Sequence, residues 1–238
     1  MTAHSAAPRS RRERPAKPAL TREGIIATAV ALMHAEGLKR VTMRRLAQEL
    51  DTGPASLYVY VRNTAELHAA VLDELLGAVD LRPAKAAGDW SDRLVQVLTS
   101  YTVVLFENPG LAQSALVARP SGKRYLDLLE ALLSLLHEGG VPNKRAAWGV
   151  DVLLQFATAT AAEQATRDQA ADAQDEQDAL TAAVRGASRR THPHLAELGT
   201  ELFSGTGRDR LTWGFRTLIN GTLATPRPDT ASAEDIHP

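Results

Sequence analysis

A break between two short amphipathic segments constrains this chain more than any other feature. Met43, Leu46, Ala47 and Leu50 are apolar at the spacing of one helix face. Thr42 stands just ahead of them, where a side-chain oxygen caps the free N–H groups of a first turn. Asp51-Thr52-Gly53 interrupts the pattern and Pro54 follows. Glycine frees the backbone to change direction. Proline suits the first position of a new helix, because its missing N–H would have no partner there anyway. The second segment is expected to run to about Val61, with Leu57 and Val61 inward and Ser56, Tyr58, Val59 and Tyr60 partly outward. Two short helices joined this way form a helix-turn-helix, whose second helix fits a DNA major groove.

The flanking sequence supports that unit. From Leu20 to about Glu36, Ile25, Ile26, Ala29, Leu32 and Met33 form an apolar stripe, with Thr21 as cap and Gly37 as stop. Asn63-Thr64-Ala65-Glu66 has the form of a capping box and predicts a fourth helix through about Leu81. Every strong pattern beyond it is helical. Leu94, Val97, Leu98, Tyr101, Val104 and Leu105 make one stripe, broken at Asn108-Pro109-Gly110. Tyr125, Leu128, Leu129, Leu132, Leu133 and Leu136 make another, stopped by Gly139-Gly140. Ala146 to Ala162 is apolar nearly all round, as in a helix buried between partners. Residues 168–191 lack large apolar side chains and read either as a mobile connection or as a solvated helix. Leu211, Phe215, Leu218, Ile219 and Leu223 mark a last helix, in which Gly214 and Gly221 offer sites of close approach. The expected fold is all-α: a three-helix helix-turn-helix domain followed by a helical ligand-binding and dimerisation domain.

The order helix, helix-turn-helix, long helix, helical remainder resembles the tetracycline-repressor (TetR) family of bacterial regulators. Thr42-Met43-Arg44-Arg45-Leu46-Ala47 and Leu57-Tyr58-Val59-Tyr60-Val61-Arg62-Asn63 carry the resemblance, against a family pattern of T-R-x-L-A followed by L-Y-x-H-V-x-N-K. Arg119-Pro120-Ser121-Gly122-Lys123-Arg124-Tyr125 is similar to the regulatory domain of the family's tetracycline-binding members, as is the final helix with Trp213-Gly214-Phe215 and Leu218-Ile219-Asn220-Gly221. The resemblance spans roughly residues 20–225.

It implies a homodimer that reads a palindromic double-stranded operator and responds to a small-molecule effector. The helices around Ala146–Ala162 and Leu211–Leu223 would pair with their symmetry mates. Arg44 matches a family arginine that reaches a guanine edge, or else a phosphate. Thr42 is expected to bond a phosphate. Pro54, Ala55 and Ser56 open the recognition helix close to bases, and Tyr58 packs on DNA. Tyr60 replaces the usual His and keeps a hydroxyl for phosphate. Thr64 replaces the usual Lys, and Arg62 is placed to compensate. Tyr101, Phe106, Arg119, Trp148, Gln155 and Phe156 are candidate effector contacts, with plain core packing as the alternative for each. Asp80, Val97 and Ala115 stand where tetracycline-binding members have His, Asn and His. That departure argues against magnesium–tetracycline and for an apolar or aromatic ligand.

Charge agrees with a DNA-facing front. Residues 1–64 hold 11 Lys and Arg against 5 Asp and Glu, whereas the remainder holds 16 against 23. Much of the excess lies in residues 1–19, an Ala-, Pro- and Arg-rich segment read as a disordered arm. Its Arg9, Arg11, Arg12, Arg14 and Lys17 either touch DNA or form a solvated tail. The organisation expected is this arm, a DNA-binding domain over 20–66, an effector and dimerisation domain over 67–225, and a disordered tail over 226–238. Cysteine is absent, which excludes thiol chemistry and disulfides. No apolar leader or 18-residue apolar run is present, so no membrane partner is implied and a cytoplasmic location is the expectation. His192-Pro193-His194 has no third ligand at a metal-site spacing, and no phosphate-cradling glycine loop or nucleophile elbow occurs. No catalytic residue, metal or cofactor is therefore expected. A regulator that binds DNA without any effector, and a protein–protein module built on a helix-turn-helix, are the readings that remain beside the first.

Overall fold

The structure is a computed structural model that describes residues 19–116 and 120–228. Most of the basic arm (residues 1–18), Arg119 and residues 229–238 of the expected tail lie outside the described residues. Among the described residues there are helices and no strands.

Helix α1 (Arg22–Glu36) starts where Thr21 accepts a hydrogen bond from the Gly24 N–H at 3.0 Å. It ends at Gly37, whose φ of 84° is a conformation that favours glycine. Helix α2 (Met43–Glu49) is capped by Thr42, which accepts from the Arg45 N–H at 3.2 Å. Helix α3 (Pro54–Leu57) has proline at its first position and is shorter than expected. It gives way to a turn over Tyr58–Tyr60, closed by Tyr60 N–H donating to Leu57 O at 2.9 Å. Aromatic and β-branched residues are poor helix formers, and the Tyr60 side chain is engaged elsewhere. Ile25, Ala29, Leu32, Leu46, Leu57, Leu67 and Val71 are buried together and fix the angle between these helices.

Helix α4 (Thr64–Leu75) begins at Asn63, whose side chain accepts from the Glu66 N–H at 2.8 Å. Only half of the expected capping box forms, because the Glu66 carboxylate accepts from the Arg62 N–H instead. The helix also ends before Leu81, passing into a 3-10 turn over Leu76–Ala78. The Arg124 guanidinium packs over Gly77, 2.3 Å from where a Cβ would stand.

Helices α5 (Trp90–Glu107), α6 (Pro109–Ala115), α7 (Lys123–Glu138), α8 (Asn143–Gln169) and α11 (Gly207–Ala224) form the larger core. Helix α5 runs through its middle and packs on α7, α8 and α11. Helices α9 (Ala173–Arg185) and α10 (Pro193–Leu198) pack on each other, and neither has a buried residue. Of the two readings of residues 168–191, the solvated helix is the one observed over α9. Gly214 does admit a close neighbour, with the Phe156 ring 2.4 Å from where a Cβ would stand, whereas nothing approaches Gly221.

Candidate DNA-reading surface and effector cavity

The helix-turn-helix presents one exposed polar face. Thr42, Arg44, Pro54, Ala55 and Ser56 are all exposed, and Tyr58 is exposed by about half its surface. Thr42 accepts a backbone N–H in capping α2, so its own O–H remains available to a phosphate oxygen. The two adjacent arginines differ sharply. Arg45 is held by Glu36 at 2.5 Å and by Glu49 at 2.8 Å, which ties α2 to the end of α1. Hydrogen bonding to Arg45 holds the Glu36 carboxyl below the usual glutamate value, and the same bonds raise the Arg45 guanidinium. Arg44 makes no ion pair among the described residues and points outward.

Two other expected DNA contacts are committed within the protein. The Tyr60 hydroxyl donates to Leu20 O at 2.8 Å, a bond across 40 residues that occupies its proton. The hydroxyl expected at a phosphate is thus held at the root of α1. Arg62 pairs with Glu66 at 2.9 Å, although its side chain remains largely exposed, so its charge is partly offset. Thr64 is half-buried at the first position of α4. His68, which the sequence did not single out, bonds Val41 O at 2.9 Å and fixes α4 to the residue ahead of α2.

Below this surface, a cavity of about 290 Å³ opens among α4, α5, α6, α7 and α8. Leu72, Leu76, Leu116 and Leu154 supply apolar walls, and Tyr101, Tyr125, Asp151, Gln155 and Thr158 supply polar ones. Tyr101 and Thr158 share a hydrogen bond of 2.8 Å. Burial pushes the Tyr101 phenol up to about 12, although its bond to Thr158 acts the other way. Gln155 donates to Asp151 at 2.7 Å along the α8 face. Of the effector contacts expected from sequence, Tyr101 and Gln155 line this cavity. Phe106, Trp148 and Phe156 do not. Phe106 is partly exposed on α5. Phe156 meets Phe215 edge-on, with centroids 5.4 Å apart. Trp148 lies beneath the Arg227 guanidinium, 4.2 Å from its ring centroid, on an outer groove between α8 and α11. Tyr125, Asp151 and Thr158 were not expected here; the spacing of Asp151 and Thr158 from Gln155 along one helix face was the available signal.

A checkable consequence concerns Tyr101. Its phenol is expected to ionise near pH 12 in the folded protein, followed by ultraviolet difference absorbance, and Tyr101→Phe is expected to remove that step. Because the folded-state value is raised, the stability linked to this group is complete below pH 10. It is lost as pH climbs from 10 through about 12.

The cavity and the reading surface are physically joined. Asp73 on α4 accepts from the Tyr125 N–H at 3.0 Å, so one helix caps another. Arg124 pairs with the neighbouring Glu74 at 2.9 Å. Gly122 is needed for this approach, since a Cβ there would fall 2.0 Å from the Asp73 carboxylate. Tyr125 at one end of this clip lines the cavity, as do Leu72 and Leu76 at the other. Among the described residues, no group of three or more His, Cys, Asp or Glu side chains is placed to hold a metal, and no helix is long and apolar enough to cross a membrane.

Comparison with known proteins agrees with both halves. Residues 25–71 match the sequence profile of bacterial regulatory proteins of the tetR family. Residues 82–225 match that of the tetracyclin repressor-like C-terminal domain. A transcription regulator from Streptomyces coelicolor is 60% identical, with a TM-score of 0.75 over 90% of this chain and 100% of that one. ActR from Streptomyces coelicolor, a TetR family protein solved in complex with actinorhodin, is 34% identical. Its TM-score is 0.77 over 87% of this chain and 97% of its own. The HTH-type transcriptional repressor DrrR1 of Streptomyces coeruleorubidus is 26% identical over 212 residues, covering 86% of this chain and 78% of its own length.

Proposed function

Since the chain belongs to the tetR family of bacterial regulatory proteins, a family of helix-turn-helix transcription regulators, we propose that it is a cytoplasmic, non-enzymatic repressor. It acts as a homodimer on a palindromic operator and is released by a small aromatic or apolar ligand. The observation that carries this reading is the pairing of an exposed Arg44 on the helix-turn-helix, with no ion pair among the described residues, with a walled cavity beneath the helix that supports it. One short recognition helix contacts only a few base pairs. Two of them about 34 Å apart on a duplex, related by a two-fold axis, supply the rest.

A homodimer has a suitable face. Trp148 and Val152 on α8 are exposed beside Leu218 and Gly221 on α11, in a largely apolar groove of about 450 Å³. An apolar helix face of this kind is the usual material of an obligate interface.

The cavity favours a ligand with an apolar body and a few hydroxyl or carbonyl groups. Its leucine walls take the body, and Tyr101, Gln155 and Thr158 meet the polar groups. That ActR was solved with actinorhodin supports an effector of this broad class. Coupling follows from differential affinity. A ligand pressing on Tyr125 and Leu72 loads the Asp73 clip and so tilts α4, which carries the reading surface through the His68–Val41 bond. A tilt that changes the separation of the two recognition helices weakens binding to a palindrome of fixed spacing.

Selection of genomic fragments by the purified protein tests the reading. Recovery of a few palindromes, with binding lost when a compound such as actinorhodin raises the melting temperature, is the expected result. Recovery of palindromes whose binding no such compound alters would favour a constitutive regulator. Failure to enrich any sequence would remove the operator altogether.

A further inference from the structure

We propose that the cavity selects a cationic ligand: an aromatic, largely apolar body carrying a protonated amine, which Asp151 receives at the cavity mouth. The inference rests on the reading of this cavity as the effector site and names the ligand class that the site selects.

The cavity is graded along one face of α8. Asp151, Gln155 and Thr158 all line it, and their spacing of four and three residues sets them in a row along the helix. One end of the row is buried: Thr158 and Tyr101 are almost inaccessible and share their hydrogen bond of 2.8 Å. The other end is open, since Asp151 and Gln155 are exposed. A helix rises about 1.5 Å per residue, so the carboxylate and the buried hydroxyls stand about 10 Å apart along it. This grading suits a ligand with one charged end. An ammonium is costly to strip of water. At the mouth it keeps part of its hydration while its apolar body enters between the leucines.

Charge supplies the second observation. Asp151 is the one charged side chain among the described residues that line the cavity. It makes no ion pair among the described residues; Gln155 donates one N–H to its Oδ2 at 2.7 Å, and a neutral amide leaves the negative charge in place. The described cations nearest in sequence to the lining are committed elsewhere. Lys123 pairs with Asp127 at 2.6 Å, Arg124 with Glu74 at 2.9 Å, and Arg145 donates to Leu223 O at 2.5 Å. The second carboxylate oxygen and the Gln155 carbonyl remain as acceptors, and an ammonium brings three donors and no acceptor. Tyr101 and Tyr125 add aromatic rings to the same cavity, and the face of such a ring attracts a cation. A ligand carboxylate at the mouth would instead meet a like charge.

Three probes of one shape test this: a hydroxynaphthalene carrying an aminoethyl, a hydroxyethyl or a carboxymethyl arm at its far end. In calorimetry on the full chain at low salt, the amine is expected to bind at least about tenfold more tightly than the alcohol, as a hydrogen-bonded charge pair allows. The acid should bind most weakly. Asp151→Asn keeps the side chain's size and removes its charge. It is expected to bring the amine down to the affinity of the alcohol, to leave the alcohol unchanged and, at an exposed position, to leave the melting midpoint in place. Ala159→Trp adds bulk to the cavity wall and is expected to abolish amine binding. Equal binding of amine and alcohol to the wild type overturns the proposal and leaves the effector cavity standing. An amine preference that survives Asp151→Asn, or amine binding that survives Ala159→Trp, overturns the assignment of the amine to this cavity. Binding of none of the three removes the effector reading of the cavity, and the amine proposal falls with it.

Discussion

Phe215→Ala is expected to cost about 3–5 kcal/mol of folding stability, the range for deleting a buried phenylalanine and leaving a cavity. Phe215 is fully buried in α11 and meets the Phe156 ring edge-on at 85°, an arrangement that adds to simple burial. Phe156 in turn occupies the space that Gly214 leaves by lacking a Cβ. The three residues form one interlocked contact between α8 and α11. Collapse around the missing ring is limited, because both helices are also held by their packing on α5. For a chain of this size the melting midpoint falls by about 2–4 °C per kcal/mol, so a drop of roughly 6–20 °C is predicted. Protein concentration must be fixed in the comparison, since a dimer's stability depends on it. Leu126→Ala makes a fair control: it deletes a similar side chain, exposed by 56%, on α7, and should stay within about 0.5 kcal/mol. A Phe215→Ala protein as stable as this control would mean that α11 is not seated on α8. The four-helix interface assigned to those helices would then lose its foundation.

Local chemistry was the part of this fold legible in sequence. Thr21 and Thr42 cap the helices they precede, and Pro54 opens the one it begins, because each effect depends only on residues a turn away. Helical periodicity likewise named the inward faces of α1 and α5; on α7 it named Leu133, which is exposed, and passed over Leu135, which is fully buried. Partners far along the chain were not legible. Nothing around Tyr60 says that its hydroxyl is spent on a carbonyl 40 residues upstream. The same holds for Asp73, which caps a helix 52 residues downstream. Aromatic residues misled for the same reason. Phe156 and Trp148 sit on α8 as Gln155 does, but helix rotation turns them toward α11, and only Gln155 faces the cavity with Asp151 and Thr158. Periodicity assigns residues to faces; it does not say which face encloses empty space. The end of α3 at Leu57 was missed because the inward spacing of Leu57 and Val61 persists through the turn although the helix does not.

Arg44 and Arg45 are adjacent and chemically identical, and they are predicted to fail in opposite ways when replaced by alanine. Arg44→Ala removes an exposed side chain with no ion pair among the described residues, so the melting midpoint should not move. Its cost should appear at the operator. A base-reading arginine contributes about 1–3 kcal/mol, and a palindrome engages two of them, so affinity falls by about 2–6 kcal/mol, roughly 30- to 20,000-fold. Preference should relax at one base pair in each half-site and nowhere else. A uniform loss over all sequences, with the salt slope reduced, would instead make Arg44 a phosphate contact. Arg45→Ala leaves Glu36 and Glu49 without the cation that joins them. The midpoint should fall modestly, since exposed ion pairs are weak, and operator binding should weaken for all sequences alike as α2 loses its tie to α1. Acid titration separates the two further. Arg45 holds Glu36 below its ordinary value of 4.5. Stability from that pair is therefore complete above pH 4.5 and lost as pH falls below it, a loss that Arg44→Ala retains and Arg45→Ala abolishes. Should Arg45→Ala relax base preference while Arg44→Ala merely lowers the midpoint, the roles of the two side chains would be exchanged, and with them the face of α2 that meets DNA.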